Sequence, residues 1–160
     1  MPDVYDASTA IESSFLSYEI DTTAADFQSE VSITLTELET MHRLKTGALL
    51  VACVTMAATC VENVSNETLN SLKHFAENIG LAYQVRDDII DITSDEKTLG
   101  KPKGSDQQAN KSTYPSLLGL DGANAKAQHL YQVSLQALTA LPYNTQNLSE
   151  FATFIISRDS

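Results

Sequence analysis

Gln84, Asp87, Asp88 and Asp91 are the side chains whose types and spacing first suggest chemistry. They fall at i, i+3, i+4 and i+7, so on an α-helix they share one stripe roughly 100 degrees wide. Leu81, Val85, Ile89 and Ile92 flank the stripe on one side, and Tyr83 and Ile90 on the other. Carboxylates at this spacing repel by roughly a few tenths of a kcal/mol per pair in water, and by more where they are partly buried. A helix keeps such a stripe when it faces solvent or a cation. A solvated acidic face is the plain reading, and the apolar flanks weigh against it. Hard carboxylate oxygens suit Mg²⁺, which keeps several waters and is commonly shared between carboxylates and substrate phosphates. Lys97, Lys101, Lys103 and Lys111 follow the stripe. Carboxylates holding a metal, with lysines converging nearby, make a charge-balanced clamp for a diphosphate.

The elements that must position this stripe are helical. Thr36-Glu37-Leu38-Glu39 has the spacing of a capping box ahead of Leu38, Met41 and Leu44, which predicts a helix start. The apolar run from Gly47 to Cys60 predicts a helix to about Val61. It is apolar nearly all round and is expected to be central, yet it is too short to span a membrane. Ser65 or Asn66 is expected to cap a helix that runs to Ile92 and carries the stripe. Gly80 inside that helix costs about 1 kcal/mol relative to Ala, so it predicts a close helix crossing.

The polar segment from Ser94 to Asn110 reads as a long loop of the kind that serves as a lid or binding loop. Ser112 to Leu118 predicts a short helix with Pro115 in its first turn. Ala123 to Leu141 predicts an amphipathic helix stopped by Pro142, and Leu148 to Arg158 a last one. In the first 29 residues, Ala10, Ile11, Phe15, Leu16 and Ile20 can line one side of a helix. No strand alternation is present. The expectation is an all-α helical bundle forming a single domain over residues 1–160.

Composition narrows the function classes. Hydrophobic residues make up 42% and charged residues 19% of the chain, which fits a globular protein rather than a disordered one. A net charge of −11 repels nucleic acid and anionic membrane surfaces. Cys53 and Cys60 would lie roughly 10 Å apart on one helix, too far to bridge. They are expected to be buried thiols in a reducing cytoplasm. The acidic opening residues, Met1 to Asp6, show no signal peptide.

The smaller motifs carry less. Glu39-Thr40-Met41-His42 is an E-x-x-H, but a di-iron bundle needs a second copy and two further glutamates. His74 and His129 are expected at the surface or satisfied, with no metal-ligand spacing. Gly100 and Gly104 make no phosphate-binding glycine loop. From its position alone, Lys45 reads more readily as an ordinary cap near a helix C-terminus than as a ligand contact.

Several stretches resemble one family. Met41-His42-Arg43-Leu44-Lys45-Thr46-Gly47-Ala48-Leu49-Leu50 looks like its Lys-Thr-Gly helix. Gly80 to Asp91 looks like its second aspartate-rich motif. Leu99-Gly100-Lys101, Asp106 and Asn110-Lys111-Ser112-Thr113-Tyr114-Pro115 follow in the family's order. Together they resemble the trans-prenyl diphosphate synthases, in particular bacterial farnesyl (geranyl) diphosphate synthases, from about Ala24 onward. The resemblance implies the C-terminal half of an isoprenoid synthase fold. It also implies an enzyme lineage that condenses an allylic diphosphate with isopentenyl diphosphate through loss of pyrophosphate, held by Mg²⁺ and basic side chains.

On that resemblance Asp87 would bind one Mg²⁺ directly, with Asp88 and Asp91 acting directly or through water. Lys45, Lys101 and Lys111 would contact the allylic diphosphate. Thr46 and Gln84 would lie near the reacting carbon, so that Lys45, Thr46 and Gln84 form the expected catalytic set. Tyr83 stands where the family usually has Phe. The chain departs from the family in having one DDxxD and no adjacent Arg pair; Thr22 and Thr23 stand in place of a Gly-Gln, and residues 1–23 match nothing assignable. A chain without turnover on its own is therefore expected. Either it is part of a synthase, or it is a non-catalytic diphosphate-binding relic or partner subunit. A terpene cyclase half is disfavoured, because cyclases usually carry an Asn/Ser/Glu metal motif here. Uncovered apolar faces imply a homodimer or larger assembly.

Overall fold

The computed structural model describes residues 33–94 and 111–159, and among these the chain is helical with no strand. The elements are α1 (Leu35–His42), a π-helical turn (Arg43–Gly47), α2 (Ala48–Thr59), α3 (Asn66–Thr93), α4 (Tyr114–Thr139) and α5 (Gln146–Ser157). The expected all-α bundle is what the chain forms. The unassigned start, the Ala10–Leu16 stretch and most of the Ser94–Asn110 loop, with Lys97, Lys101, Lys103 and Asp106, lie outside the described residues.

The hub is α3, which packs along α4 and against α2, the π-turn and α5. Its inner face is Phe75, Ile79, Leu81, Ala82, Val85 and Ile89, each at most 1% exposed. Tyr114, Ala123, Ala127, Leu130 and Leu138 of α4 meet it, with Ala152 and Ile155 of α5 and Leu38 of α1 closing the core. Burying one such large aliphatic or aromatic side chain stabilises by about 1.5–3 kcal/mol. This interior holds α3 rigidly enough to present a stripe of charge at its far end.

Side-chain caps fix the starts of α1, α3 and α4. Ser65 caps α3, its hydroxyl accepting from the Thr68 N–H at 3.1 Å. Thr113 caps α4 in a reciprocal box with Ser116, and Pro115 lies in the first turn. The box at α1 differs from expectation: it is Thr34 with Glu37, not Thr36 with Glu39. Glu37 Oε2 accepts from the Thr34 backbone N–H at 2.7 Å. Both pairs have the required spacing, but Glu39 is turned to Lys126 of α4, 2.6 Å away.

Three further expectations are corrected in this region. The helices anticipated on either side of Gly47 are one nearly continuous rod, joined by the π-turn. And α2 is not central: Ala58 is its only buried residue, with Leu49 and Met56 67% and 60% exposed. Cys53 and Cys60 are exposed rather than buried. The reason is that α3 covers α2 on one side alone, and no other described element covers the rest.

Gly80 is at a close crossing, as its placement in mid-helix predicts. A Cβ built there would stand 3.3 Å from the Gly47 Cα and 3.0 Å from Leu50 Cδ1. Farther along, α4 breaks its helical geometry at Gly119, whose φ of +72° suits glycine. The break separates the short helix and the amphipathic helix read from the sequence.

Candidate active site

The Gly47–Gly80 contact fixes the turn that carries Thr46 against the helix that carries Gln84. Thr46 precedes Gly47 in the π-turn, and Gln84 lies one turn beyond Gly80 on α3. In the π-turn the Ala48 N–H bonds to the Arg43 carbonyl, five residues back, so one extra residue is accommodated. Such turns re-aim side chains and recur at functional sites. Lys45 is exposed on this turn, Thr46 is half-buried, and Gln84 is 8% exposed.

The three carboxylates share the stripe but not one environment. Asp87 is the open one, its side chain 55% exposed. Asp88 is 9% exposed, and its Oδ2 accepts the Tyr114 backbone N–H at 2.9 Å. That N–H is one of the unpaired donors at the start of α4, where the positive end of the helix dipole favours a negative charge. Asp88 therefore fixes α4 to α3 as well as contributing to the stripe. Asp91 is 2% exposed.

His42 and Tyr114 form a floor beside this stripe. Their rings are 5.5 Å apart and tilted by 51°. Both are buried, and His42 Nδ1 and Tyr114 Oη have no hydrogen-bond partner among the described residues. Burial lowers the His42 pKa from its usual value; nearby Lys45 lowers it further and Asp87 opposes the shift. Burial, reinforced by Glu39 and Asp88, holds the Tyr114 phenol firmly protonated. The floor is thus neutral, and the charge of the site is carried by the stripe and the basic groups around it.

One basic group escaped the sequence reading. The Arg158 Nη2 donates to Asp87 Oδ1 at 2.9 Å. Its guanidinium carbon stands 4.0 Å from the Tyr83 ring centroid. Arg158 is 71 residues from Asp87, and no local pattern signals such a pairing. His42 and Tyr114 were legible only as parts of motifs. Lys111 is exposed just before the cap of α4, whereas Lys101 lies outside the described residues. His74 and His129 are exposed, as expected.

What could this arrangement hold? Among the described residues no three His, Cys, Asp or Glu side chains converge into a metal cage. Hard oxygen donors are nevertheless present, with Asp87 open to solvent. This donor set fits a magnesium ion held by one or two carboxylates and completed by water and phosphate oxygens, rather than an all-protein site. No described helix is long and apolar enough to cross a membrane.

Comparison with known proteins agrees with the motifs. Residues 9–143 match the family model described as polyprenyl synthetase, and the chain belongs to that family. It is similar to the farnesyl diphosphate synthase of Haemophilus influenzae, at 49% identity over 80% of this chain and 43% of the relative. The Escherichia coli farnesyl diphosphate synthase is 45% identical over 79% of this chain and 44% of its own length. Among solved structures, the geranyltransferase of Helicobacter pylori, determined with magnesium and isoprenyl diphosphate, is 33% identical with a TM-score of 0.64. That match covers 79% of this chain and 41% of that one. The fold is therefore the all-α isoprenoid synthase fold, and the chain spans less than half the length of these relatives.

Proposed function

We propose that the Gln84–Asp91 stripe forms one wall of a magnesium–diphosphate cavity, in a chain of prenyl-transferring ancestry. The observation that carries this is the pairing of an exposed Asp87 with neighbouring carboxylates on a helix held close to the Lys45–Thr46 turn. Asp87 is the direct metal ligand, and Asp88 and Asp91 act directly or through water. Lys45, Lys101 and Lys111 contact the diphosphate of an allylic substrate, or pyrophosphate itself. Thr46 and Gln84 place their oxygens where positive charge develops as the C–O bond of that substrate ionises. A bound magnesium ion would neutralise the leaving diphosphate. The magnesium seen with isoprenyl diphosphate in the Helicobacter pylori relative supports the same reading here.

A second reading keeps the site and removes the turnover. The chain carries one DDxxD and no adjacent Arg pair. The face formed by the π-turn and α2 is apolar and open, with Leu44 and Leu49 71% and 67% exposed. Such a face favours a chain that works in a homodimer or larger assembly, or as a non-catalytic subunit. The two readings separate on one assay. Purified chain given Mg²⁺, an allylic diphosphate and isopentenyl diphosphate is expected to release no pyrophosphate and to make no longer prenyl product. Product formation would favour a complete site formed by this chain alone.

The site itself is tested by binding. Pyrophosphate is expected to bind in the presence of Mg²⁺ and to bind at least tenfold more weakly in Asp87→Ala, a loss of about 1.4 kcal/mol or more.

A further inference from the structure

The two residues that follow α5 turn back onto α3 and reach the acidic stripe at Asp87. Arg86 Nε donates to the Arg158 carbonyl at 2.9 Å, and Arg86 Nη2 reaches Asp159 Oδ1 at 3.2 Å. The Ser94 hydroxyl donates to the Asp159 carbonyl at 2.7 Å. These bonds fasten residues 158–159 to the last turns of α3. The Arg158 side chain is thereby directed back along the helix, over the Tyr83 ring and onto Asp87 Oδ1. It is only 11% exposed, although its partner carboxylate is half open to solvent. The planar guanidinium suits both contacts, stacking on the ring while pairing with the carboxylate.

We infer that Arg158 is the resident counter-cation of Asp87 and must give up that carboxylate when a divalent metal binds there. The inference rests on the magnesium–diphosphate reading of the stripe. An oxygen that accepts from a guanidinium is not available at full strength to a metal. Removing the guanidinium therefore tightens metal binding, whereas an arginine that merely closed the fold would leave it unchanged or weaken it. The Arg158 Nε is buried without a partner, so the pairing with Asp87 leaves the guanidinium incompletely satisfied. That favours its release when an anionic ligand arrives with the metal and offers new acceptors.

Two measurements test the exchange. The first needs no metal. In the ¹⁵N spectrum of the full chain, the Arg158 Nη2 protons, which face Asp87 Oδ1, are expected to be shifted and slow to exchange, and to lose both properties in Asp87→Asn. A resonance indifferent to Asp87→Asn would overturn the pairing. The second is Mn²⁺ affinity, read by electron paramagnetic resonance on protein without diphosphate. Arg158→Gln is expected to bind Mn²⁺ roughly three- to fivefold more tightly, the size of a partly exposed ion pair, and Arg158→Lys by less. Unchanged or weaker Mn²⁺ binding in Arg158→Gln, with the fold intact by circular dichroism, would overturn the exchange. If instead Arg158 is paired with Asp87 in the spectrum but neither wild type nor variant binds Mn²⁺, the reading of the stripe fails and the exchange fails with it.

Discussion

Asp87, Asp88 and Asp91 are equivalent in a helical wheel and different in the folded chain. Asp88 accepts the first N–H of α4, Asp91 is almost fully enclosed, and Asp87 faces out onto Arg158. Periodicity reveals which residues share a face but not how neighbouring elements divide that face. Asp87 and its motif were legible because their spacing is local. Arg158 was not, because its contact depends on how α5 returns to α3. His42 supplies a residue-scale prediction. Its folded pKa lies below the usual value, so the unfolded chain binds the proton more readily. Stability is then full above the ordinary histidine pKa of about 6.5 and is lost as pH falls below it toward the folded pKa. Denaturant midpoints taken between pH 7.5 and 5 are expected to fall in the wild type and to flatten in His42→Phe relative to it. An identical pH slope in both proteins would remove His42 from the account.

At the scale of elements, the arrangement depends on the crossing of α3 with the π-turn. Gly80 was readable as a crossing point because a mid-helix glycine otherwise only costs stability. The π-turn was not readable: Arg43-Leu44-Lys45-Thr46-Gly47 contains no proline, a lone Gly47 does not specify an inserted residue, and the extra residue follows from packing. Gly80→Ala separates the two effects. Alanine adds about 1 kcal/mol of helix propensity, but its Cβ would meet the Gly47 backbone at 3.3 Å. Overpacking of that kind costs roughly 1–3 kcal/mol, so a net loss in thermal midpoint is expected. A raised midpoint would mean that the crossing is loose and does not fix the π-turn against α3.

For the whole molecule, the expectation of a central α2 failed for a physical reason. A helix that is apolar all round must be covered all round, and the described elements cover it on one side only. Met41, Leu44, Leu49 and Met56 lie open on the α1–α2 rod, and Phe154 is 65% exposed on α5. Helix identity and the core of α3 were written in local patterns, whereas what covers α2 is a property of neighbours. The relatives are more than twice as long as their matched parts. The chain as given is therefore expected to self-associate, with light scattering reporting a dimer or larger species at micromolar concentration. A monomeric mass would show that this face is tolerated in water.

The central claim is that the acidic stripe binds a diphosphate through magnesium. Calorimetric titration of pyrophosphate into the chain, with Mg²⁺ present and then with excess chelator, tests it most directly. Binding that appears only with Mg²⁺, and that is weakened at least tenfold by Asp87→Ala, is the predicted result. Equal affinity in the presence of chelator, or in the Asp87→Ala variant, would contradict it.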